Sequence, residues 1–296
     1  MNASERRWIE RAELDALCGE RLYDFSLDGL WVAGCLDGLA APCVAVVGTR
    51  APSDEGRRRA HRLARDLGRA GVCIVSGLAL GIDGAAHEGA LDAGAPTVGV
   101  LGGGHAHFFP PRHRELGTRI IAAGGAVVSP FAPDVPAQPW QFLARNAVIA
   151  ALADVVVVVE AAARSGALNT AGHAADRNIP VLAFPGDVDR PKAAGCNALI
   201  RDGAILARDA DDILAALPNA PVRATTTPAG ADDATESTDS PAVRRLVAAL
   251  RDGTCDAATL ADRLDLPPPT LCALLVELEL DGRIVHGPDG FGIAPR

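Results

Sequence analysis

Lysine is almost absent from this chain of 296 residues: Lys192 is the only one, and arginine makes up the rest of its 28 basic residues. The planar guanidinium fork is the better partner for phosphate oxygens and stacked bases. Acids outnumber bases, 37 to 28, giving a formal charge of -9. That excludes a protein that coats nucleic acid through bulk charge, but not a local basic pocket. No apolar run approaches the ~20 residues of a membrane span, because Asp154 interrupts residues 150–159. The opening segment, residues 1–11, carries Glu5, Arg6, Arg7 and Glu10 and lacks the apolar stretch of a signal peptide, so we expect a cytoplasmic protein. The seven cysteines, Cys18, Cys35, Cys43, Cys73, Cys196, Cys255 and Cys272, include no Cys-x-x-Cys pair. They read as small buried residues in a reducing compartment, and no metal is implied.

What is present centres on residues 72–87, Val-Cys-Ile-Val-Ser-Gly-Leu-Ala-Leu-Gly-Ile-Asp-Gly-Ala-Ala-His. Residues 72–75 form an apolar, β-branched run suited to a strand buried on both faces, and Ser76-Gly77 ends it. A helix is predicted to begin near Asp83. Further strand-like runs lie at residues 44–47, 97–101, 126–129, 155–160, 181–184 and 204–207, with stretches of helical length between them, such as 55–70. This alternation predicts an α/β fold, an extended Rossmann-like, doubly wound and mostly parallel sheet with ligands at its carboxyl edge. Residues 1–42 are expected to form a helix, roughly 4–18, and an irregular lead-in through Trp31-Val32-Ala33-Gly34.

Nearly every strand ends in a polar, glycine-bearing turn: Gly48-Thr49-Arg50, Ser76-Gly77, Gly102-Gly103-Gly104, Ser129-Pro130, Ser165-Gly166 and Pro185-Gly186-Asp187. Such a series at corresponding strand ends builds a groove of N–H donors and hydroxyls that suits an anion. After the first strand only one glycine of the Gly-x-Gly-x-x-Gly dinucleotide fingerprint is present, so no NAD or FAD cofactor is expected. Arg50 there is placed to pair with a phosphate oxygen. Ser165, Gly166, Asn169 and Thr170 read as a second phosphate cradle at a helix N-terminus. Phe142, Arg145 and Asn146 combine the groups of a single-strand binder, with Phe142 or Trp140 to stack on a base. The same residues also fit a helix that packs Phe142 inward and leaves Arg145 solvated. Asp83 and His87, at i and i+4, read as a structural pair holding the loop rather than as a catalytic dyad with Ser76. His105 and His107 read as loop residues without a third metal ligand.

Residues 219–240, rich in Thr, Ala, Pro, Asp and Ser, are predicted to be a flexible linker between a domain over 43–218 and a smaller one over 241–296. In the latter, helices over 243–250, 257–264 and 270–280 and two short strands predict a winged helix. The third helix carries Glu277 and Glu279 and no lysine or arginine, so this module is expected to pack against protein rather than enter a DNA groove.

With these motifs in order, the chain resembles the DNA-processing protein A family, also called DprA or Smf. The residues that carry the resemblance are Val-Ala-Val-Val-Gly-Thr-Arg (44–50), Ser-Gly-Leu-Ala-Leu-Gly-Ile-Asp-Gly-Ala-Ala-His (76–87), Arg-Asn (145–146), Val-Glu-Ala (159–161), Ser-Gly-Ala-Leu-Asn-Thr-Ala (165–171), Pro-Gly-Asp (185–187) and Gly-Cys-Asn-Ala-Leu-Ile-Arg-Asp-Gly-Ala (195–204). The resemblance implies a non-catalytic homodimer that binds single-stranded DNA at the sheet's carboxyl edge and loads the RecA recombinase during uptake of transforming DNA. By position, Gly48, Thr49, Arg50, Ser76, Gly77, Arg145, Asn146, Ser165, Gly166, Asn169 and Thr170 would line that pocket. Leu80 and Ala147 stand where the family usually has arginine. The rival expectation is a nucleotide-binding or nucleotide-hydrolysing enzyme of the phosphoribohydrolase type. Its Pro-Gly-Gly-x-Gly-Thr-x-x-Glu stretch breaks off here after Gly186.

Overall fold

A computed structural model of the protein describes residues 6–218 continuously and parts of 246–293, divided into two units between residues 223 and 224. The expected linker, 219–240, lies outside the described residues, as does Glu277. The first unit is built on one nine-stranded sheet: β1 (Arg6–Glu10), β2 (Gly29–Gly34), β3 (Cys43–Val47), β4 (Cys73–Ser76), β5 (Thr97–Val100), β6 (Ala126–Ser129), β7 (Val155–Val158), β8 (Val181–Ala183) and β9 (Ile205–Leu206). Their spatial order is β1-β2-β6-β5-β4-β3-β7-β8-β9. The seven strands from β6 to β9 in that order are parallel, while β2 pairs antiparallel with β6 and with β1.

Continuous runs of β-branched residues, rather than alternating ones, suit strands covered on both faces. The four valines of β7 are all fully buried, each contributing about 1.5–3 kcal/mol relative to exposure. Alternate residues of one strand feed two cores. Val44 and Val46 of β3 meet α2 (Asp54–Arg69) and α3 (Ile82–Asp92) through Ala60, Leu63, Ile82 and Ala86, whereas Ala45 and Val47 belong to the core that contains Val148 and Ala171 of α5 (Pro139–Ala151) and α6 (Gly166–Ala175). The Ser53 hydroxyl caps α2 by accepting from Gly56 N at 3.0 Å, and Pro139 opens α5 where its missing N–H costs nothing. The remaining helices of this unit are α1 (Arg11–Cys18), α4 (Arg114–Ala122), α7 (Ala194–Arg201) and α8 (Ala210–Ala215).

Two expectations for residues 1–42 are corrected. Residues 6–10 form a strand, not the first turns of a helix, and helix α1 begins only at Arg11; the expected irregular lead-in at 31–34 is strand β2. The cause is long-range: β2 covers the open edge of β6, with Trp31 opposite Ser129, and β1 then adds to β2, with Trp8 against Trp31 at 5.6 Å between ring centroids. Four of the described cysteines, Cys18, Cys43, Cys73 and Cys196, are buried free thiols, and Cys35 is half-buried. Among the described residues no helix is long and apolar enough to cross a membrane, and no group of three His, Cys, Asp or Glu side chains could hold a metal ion.

In the second unit, helix α9 (Ala257–Leu264) and the hairpin β10 (Ile284–Gly287) and β11 (Gly290–Ile293) share a core that includes Leu246, Leu260, Leu271, Leu275, Leu278 and Ile284. Residues 246 and 249–250, and 270–271, 274–275 and 278–279, are helical, within the stretches expected to be the first and third helices.

Candidate functional site

From β3 the chain winds outward through β4, β5 and β6 on one side, and it then crosses back to lay β7 on the other side of β3. The reversal leaves a crevice beyond the carboxyl ends of β3 and β7, where open α/β sheets bind ligands. A cavity of about 370 Å³ lies there. The loop after β3 supplies one wall, with Gly48, Thr49 and Arg50; the start of α6 supplies another, with Ser165, Gly166 and Thr170; and α5 supplies Phe142, Arg145 and Asn146.

Each wall is fixed by backbone chemistry. Thr49 N donates to Glu160 O at 2.7 Å, and Ile82 N donates to Thr49 O at 3.3 Å, so the β3 loop is held between β7 and α3. A side chain at Gly48 would put its Cβ 2.5 Å from Ile82 Cγ1, which is why this position accepts only glycine. Ser165 Oγ accepts from Ala167 N at 3.3 Å, and nothing lies within 4 Å of the Cβ position at Gly166, so the N-terminus of α6 opens on free space. Unpaired N–H groups and the helix dipole make such an end attractive to anions. Asn146 Nδ2 donates to Gly166 O and to Asn169 Oδ1, both at 3.2 Å, tying α5 to α6; Asn169 is thus a support behind the wall.

Arg50 is exposed, and its guanidinium lies 5.5 Å above the Phe142 ring. Arg145 is different in kind. It is 4% exposed, and its Nη1 donates to Gly77 O and, at 2.5 Å, to Val100 O. The expectation of a solvated Arg145 is therefore corrected. Its buried counter-charge is Asp83, whose Oδ2 accepts from Gly77 N at 3.1 Å and Ala79 N at 3.4 Å. Burial lowers Arg145 to about 10, against the attraction of Asp83, and burial raises Asp83, with Arg145 the largest opposing influence.

The turn after β4 consequently offers less than its sequence suggests. The fully buried Ser76 donates its Oγ to Val46 O at 2.7 Å, and both polar groups of Gly77 are engaged by Asp83 and Arg145. Ser76 and Gly77 brace the site from behind and do not line the main cavity. The same holds at β6, where Ser129 Oγ donates to Gly103 O at 2.9 Å and accepts from Phe131 N at 3.0 Å. Of the six turns, those after β3 and β7 build the crevice.

Asp83 and His87 do not bond each other. Asp83 holds the loop, whereas His87 Nδ1 contacts Thr97 Oγ1 at 2.8 Å, and Thr97 Oγ1 donates to Ile74 O at 2.7 Å, linking α3 to β4 and β5. Burial drives the His87 imidazole down to about 3. The folded value lies below the ordinary 6.5 of the unfolded chain, so this stabilisation is whole above about 6.5 and is lost as pH falls towards 3. Urea unfolding should show His87→Gln losing about 2 kcal/mol less than the wild type between pH 7.5 and pH 5. Equal losses would contradict a neutral, buried imidazole. His105 is also buried and contacts Val127 O at 2.9 Å through Nε2, which makes it a packing residue of its loop.

The aromatic expectations divide. Phe142 is half-buried, with Arg50 on its ring and Arg145 at 5.9 Å, so it packs inward while bordering the cavity. Trp140, 61% exposed, sits edge-on to Phe131 at 5.7 Å and does not line the cavity. A residue not singled out from sequence, Phe109, is 48% exposed and meets Phe142 edge-to-face at 5.6 Å. With Leu80, Pro110 and Phe142 it lines an adjoining recess of about 120 Å³. The signal was the Phe-Phe-Pro that follows the triple glycine and its two histidines. Leu143, 53% exposed, adds apolar surface on the same helix.

Residues 22–218 match the model of the DNA recombination-mediator protein A family, and residues 229–290 match the DprA winged helix domain, in accord with the helices and hairpin of the second unit. Protein Smf of Escherichia coli is 38% identical over 269 residues, covering 88% of this chain and 70% of that one. Other curated relatives are matched over about half their length, 48% and 45% in two cases. DNA processing protein A of Streptococcus pneumoniae has a solved structure that aligns with a TM-score of 0.66 at 35% identity, covering 72% of this chain and 74% of that one. The Helicobacter pylori protein, whose structure was solved for its single-stranded DNA binding mode, aligns with a TM-score of 0.62 at 27% identity over 71% of this chain and 94% of that one.

Proposed function

The chain belongs to the DNA recombination-mediator protein A family, and from that premise we propose that it binds single-stranded DNA in the crevice between the ends of β3 and β7. The observation that carries this reading is the pairing of one exposed cation, Arg50, with the open N-terminus of α6 across a single cavity, beside the aromatic surface of Phe142 and Phe109. A phosphate would sit between Arg50 and the Gly166 end, over the buried charge of Arg145, and a neighbouring base would lie on Phe109. Phosphate pairing with backbone donors and sequence-tolerant stacking are how single strands are held without base readout.

The role is non-catalytic. The carboxylate of the cavity, Asp83, is bonded to two backbone N–H groups and faces Arg145, and the hydroxyl of Ser76 is donated to Val46 O, so neither is placed as an acid, base or nucleophile. In the cell the protein would act as a cytoplasmic homodimer that protects incoming DNA and passes it to the RecA recombinase. Titration of fluorescent poly-dT tests the binding reading directly: affinity should fall steeply with salt. Phe109→Ala should weaken binding by about 1 kcal/mol, roughly fivefold, with an unchanged salt slope. Absence of binding at low salt would overturn the proposal.

A further inference from the structure

The motif Pro185-Gly186-Asp187 and the Gly195-Cys196-Asn197 that follows it take no part in the crevice. They build a second cavity of about 530 Å³ beyond β7 and β8, within the range of roughly 300–1,000 Å³ usual for small-molecule sites. Its floor is apolar and buried, with Val159, Phe184 and Cys196 between 1% and 4% exposed. Its roof is the loop after β8, and that loop is anchored at both ends. Gly186 N donates to Asn197 Oδ1 at 3.1 Å while Gly186 O accepts from Asn197 Nδ2 at 3.0 Å, and Gly195 N donates to Ala161 O at 2.8 Å. No side chain fits at Gly186, since a Cβ there would lie 2.5 Å from Ala193 Cβ.

Between the anchors two turns, Arg190 N to Asp187 O at 3.1 Å and Ala193 N to Arg190 O at 2.9 Å, set Arg190 and Lys192, the sole lysine, on the cavity rim. The ion pairs nearby join Glu55 to Arg58 at 3.2 Å and to Arg59 at 3.6 Å; Arg190 and Lys192 enter none among the described residues. Three carboxylates also line it: Glu55; Glu160, which is held by Ser53 N at 3.0 Å and Ser53 Oγ at 2.5 Å; and Asp187, whose Oδ1 accepts from Asp189 N at 3.0 Å. The Arg59 guanidinium lies over the Phe184 ring at 5.3 Å.

A cavity that sets both carboxylates and cations around an apolar floor suits neither a bare anion nor a cation. It suits a flat molecule with N–H donors at one end and an anion at the other. We infer that this cavity binds a nucleoside phosphate, its phosphate on Arg190 and Lys192, its base against Arg59 and Phe184, and the base amino group towards Glu55. Arginine stacked on an aromatic ring is itself a platform for a base, and paired cations at a rim give charge-assisted bonds to phosphate.

The test uses the full chain and dAMP. Calorimetric titration should show binding that weakens at least about tenfold in the Arg190→Ala/Lys192→Ala variant and is unchanged in Arg50→Ala, which separates this site from the crevice and its DNA. Saturating dAMP should also slow acylation of the Lys192 amine, read by peptide mass spectrometry, and inorganic phosphate at the same concentration should not. Displacement of dAMP from Arg50→Ala by an oligonucleotide would identify the occupant as a nucleotide of a strand, and resistance to displacement would identify it as free nucleotide. No binding, equal binding by the rim variant, loss in Arg50→Ala, or equal protection by phosphate alone would each overturn the assignment.

Discussion

Arg50→Ala is expected to weaken binding of poly-dT by roughly 10- to 150-fold, the worth of a charge-assisted hydrogen bond of about 1.5–3 kcal/mol. The slope of log affinity against log salt should become shallower by about 0.7, one phosphate contact on a single strand. The fold should be indifferent to the change. Arg50 is exposed and its guanidinium lies on the face of Phe142, so unfolding free energy should move by no more than about 0.5 kcal/mol. Arg50→Lys should restore the salt slope and only part of the affinity, because a lysine keeps the charge and loses the fork. Fluorescence anisotropy over a salt series reads both quantities. A variant that loses affinity with an unchanged slope would place Arg50 away from phosphate.

Arg145→Ala should behave in the opposite way, damaging the fold more than any surface change at the site. Removing it leaves Asp83 as a buried carboxylate without its counter-charge, and the Gly77 and Val100 carbonyls without their donor. Breaking one side of a buried pair typically costs about 3–5 kcal/mol. The loss should depend on pH with a definite sign. Without Arg145 the Asp83 value rises further above its unfolded one, so the variant is least impaired in acid and loses stability as pH rises through that raised value. Asp83→Asn combined with Arg145→Met should recover part of the loss, since the lone charge is gone. Urea unfolding of the three proteins checks this, and a single variant as stable as the wild type would show that the pair carries no weight.

These two arginines show what could be read from sequence and what could not. The parallel sheet was legible because runs such as Val155–Val158 and Cys43–Val47 admit few other uses, and their polar, glycine-bearing ends located the carboxyl edge. Local sequence also marked Gly48 to Arg50 and Ser165 to Thr170, the two turns that meet at the reversal of strand order. It could not rank the turns, because whether a turn's polar groups are free depends on partners that only the fold brings up. The Gly77 N–H is taken by Asp83 on the next helix, and the Gly77 carbonyl by Arg145, 68 residues away. The same reason hid strands β1 and β2, whose pairing is fixed by the exposed edge of β6 rather than by their own pattern. Phe109 is not marked by its sequence, because an aromatic after a glycine-rich turn reads as ordinary loop packing until Phe142 is placed against it.

The measurement that bears most directly on the central claim is photo-crosslinking of poly-dT containing 5-iododeoxyuridine to the full chain, with the attached peptides mapped by mass spectrometry. The account predicts adducts on the peptides that carry Phe109 and Phe142, lost in Arg50→Ala at equal protein concentration. Adducts confined to the second unit, or to the loop bearing Arg190 and Lys192, would contradict the placement of the strand in the crevice between β3 and β7.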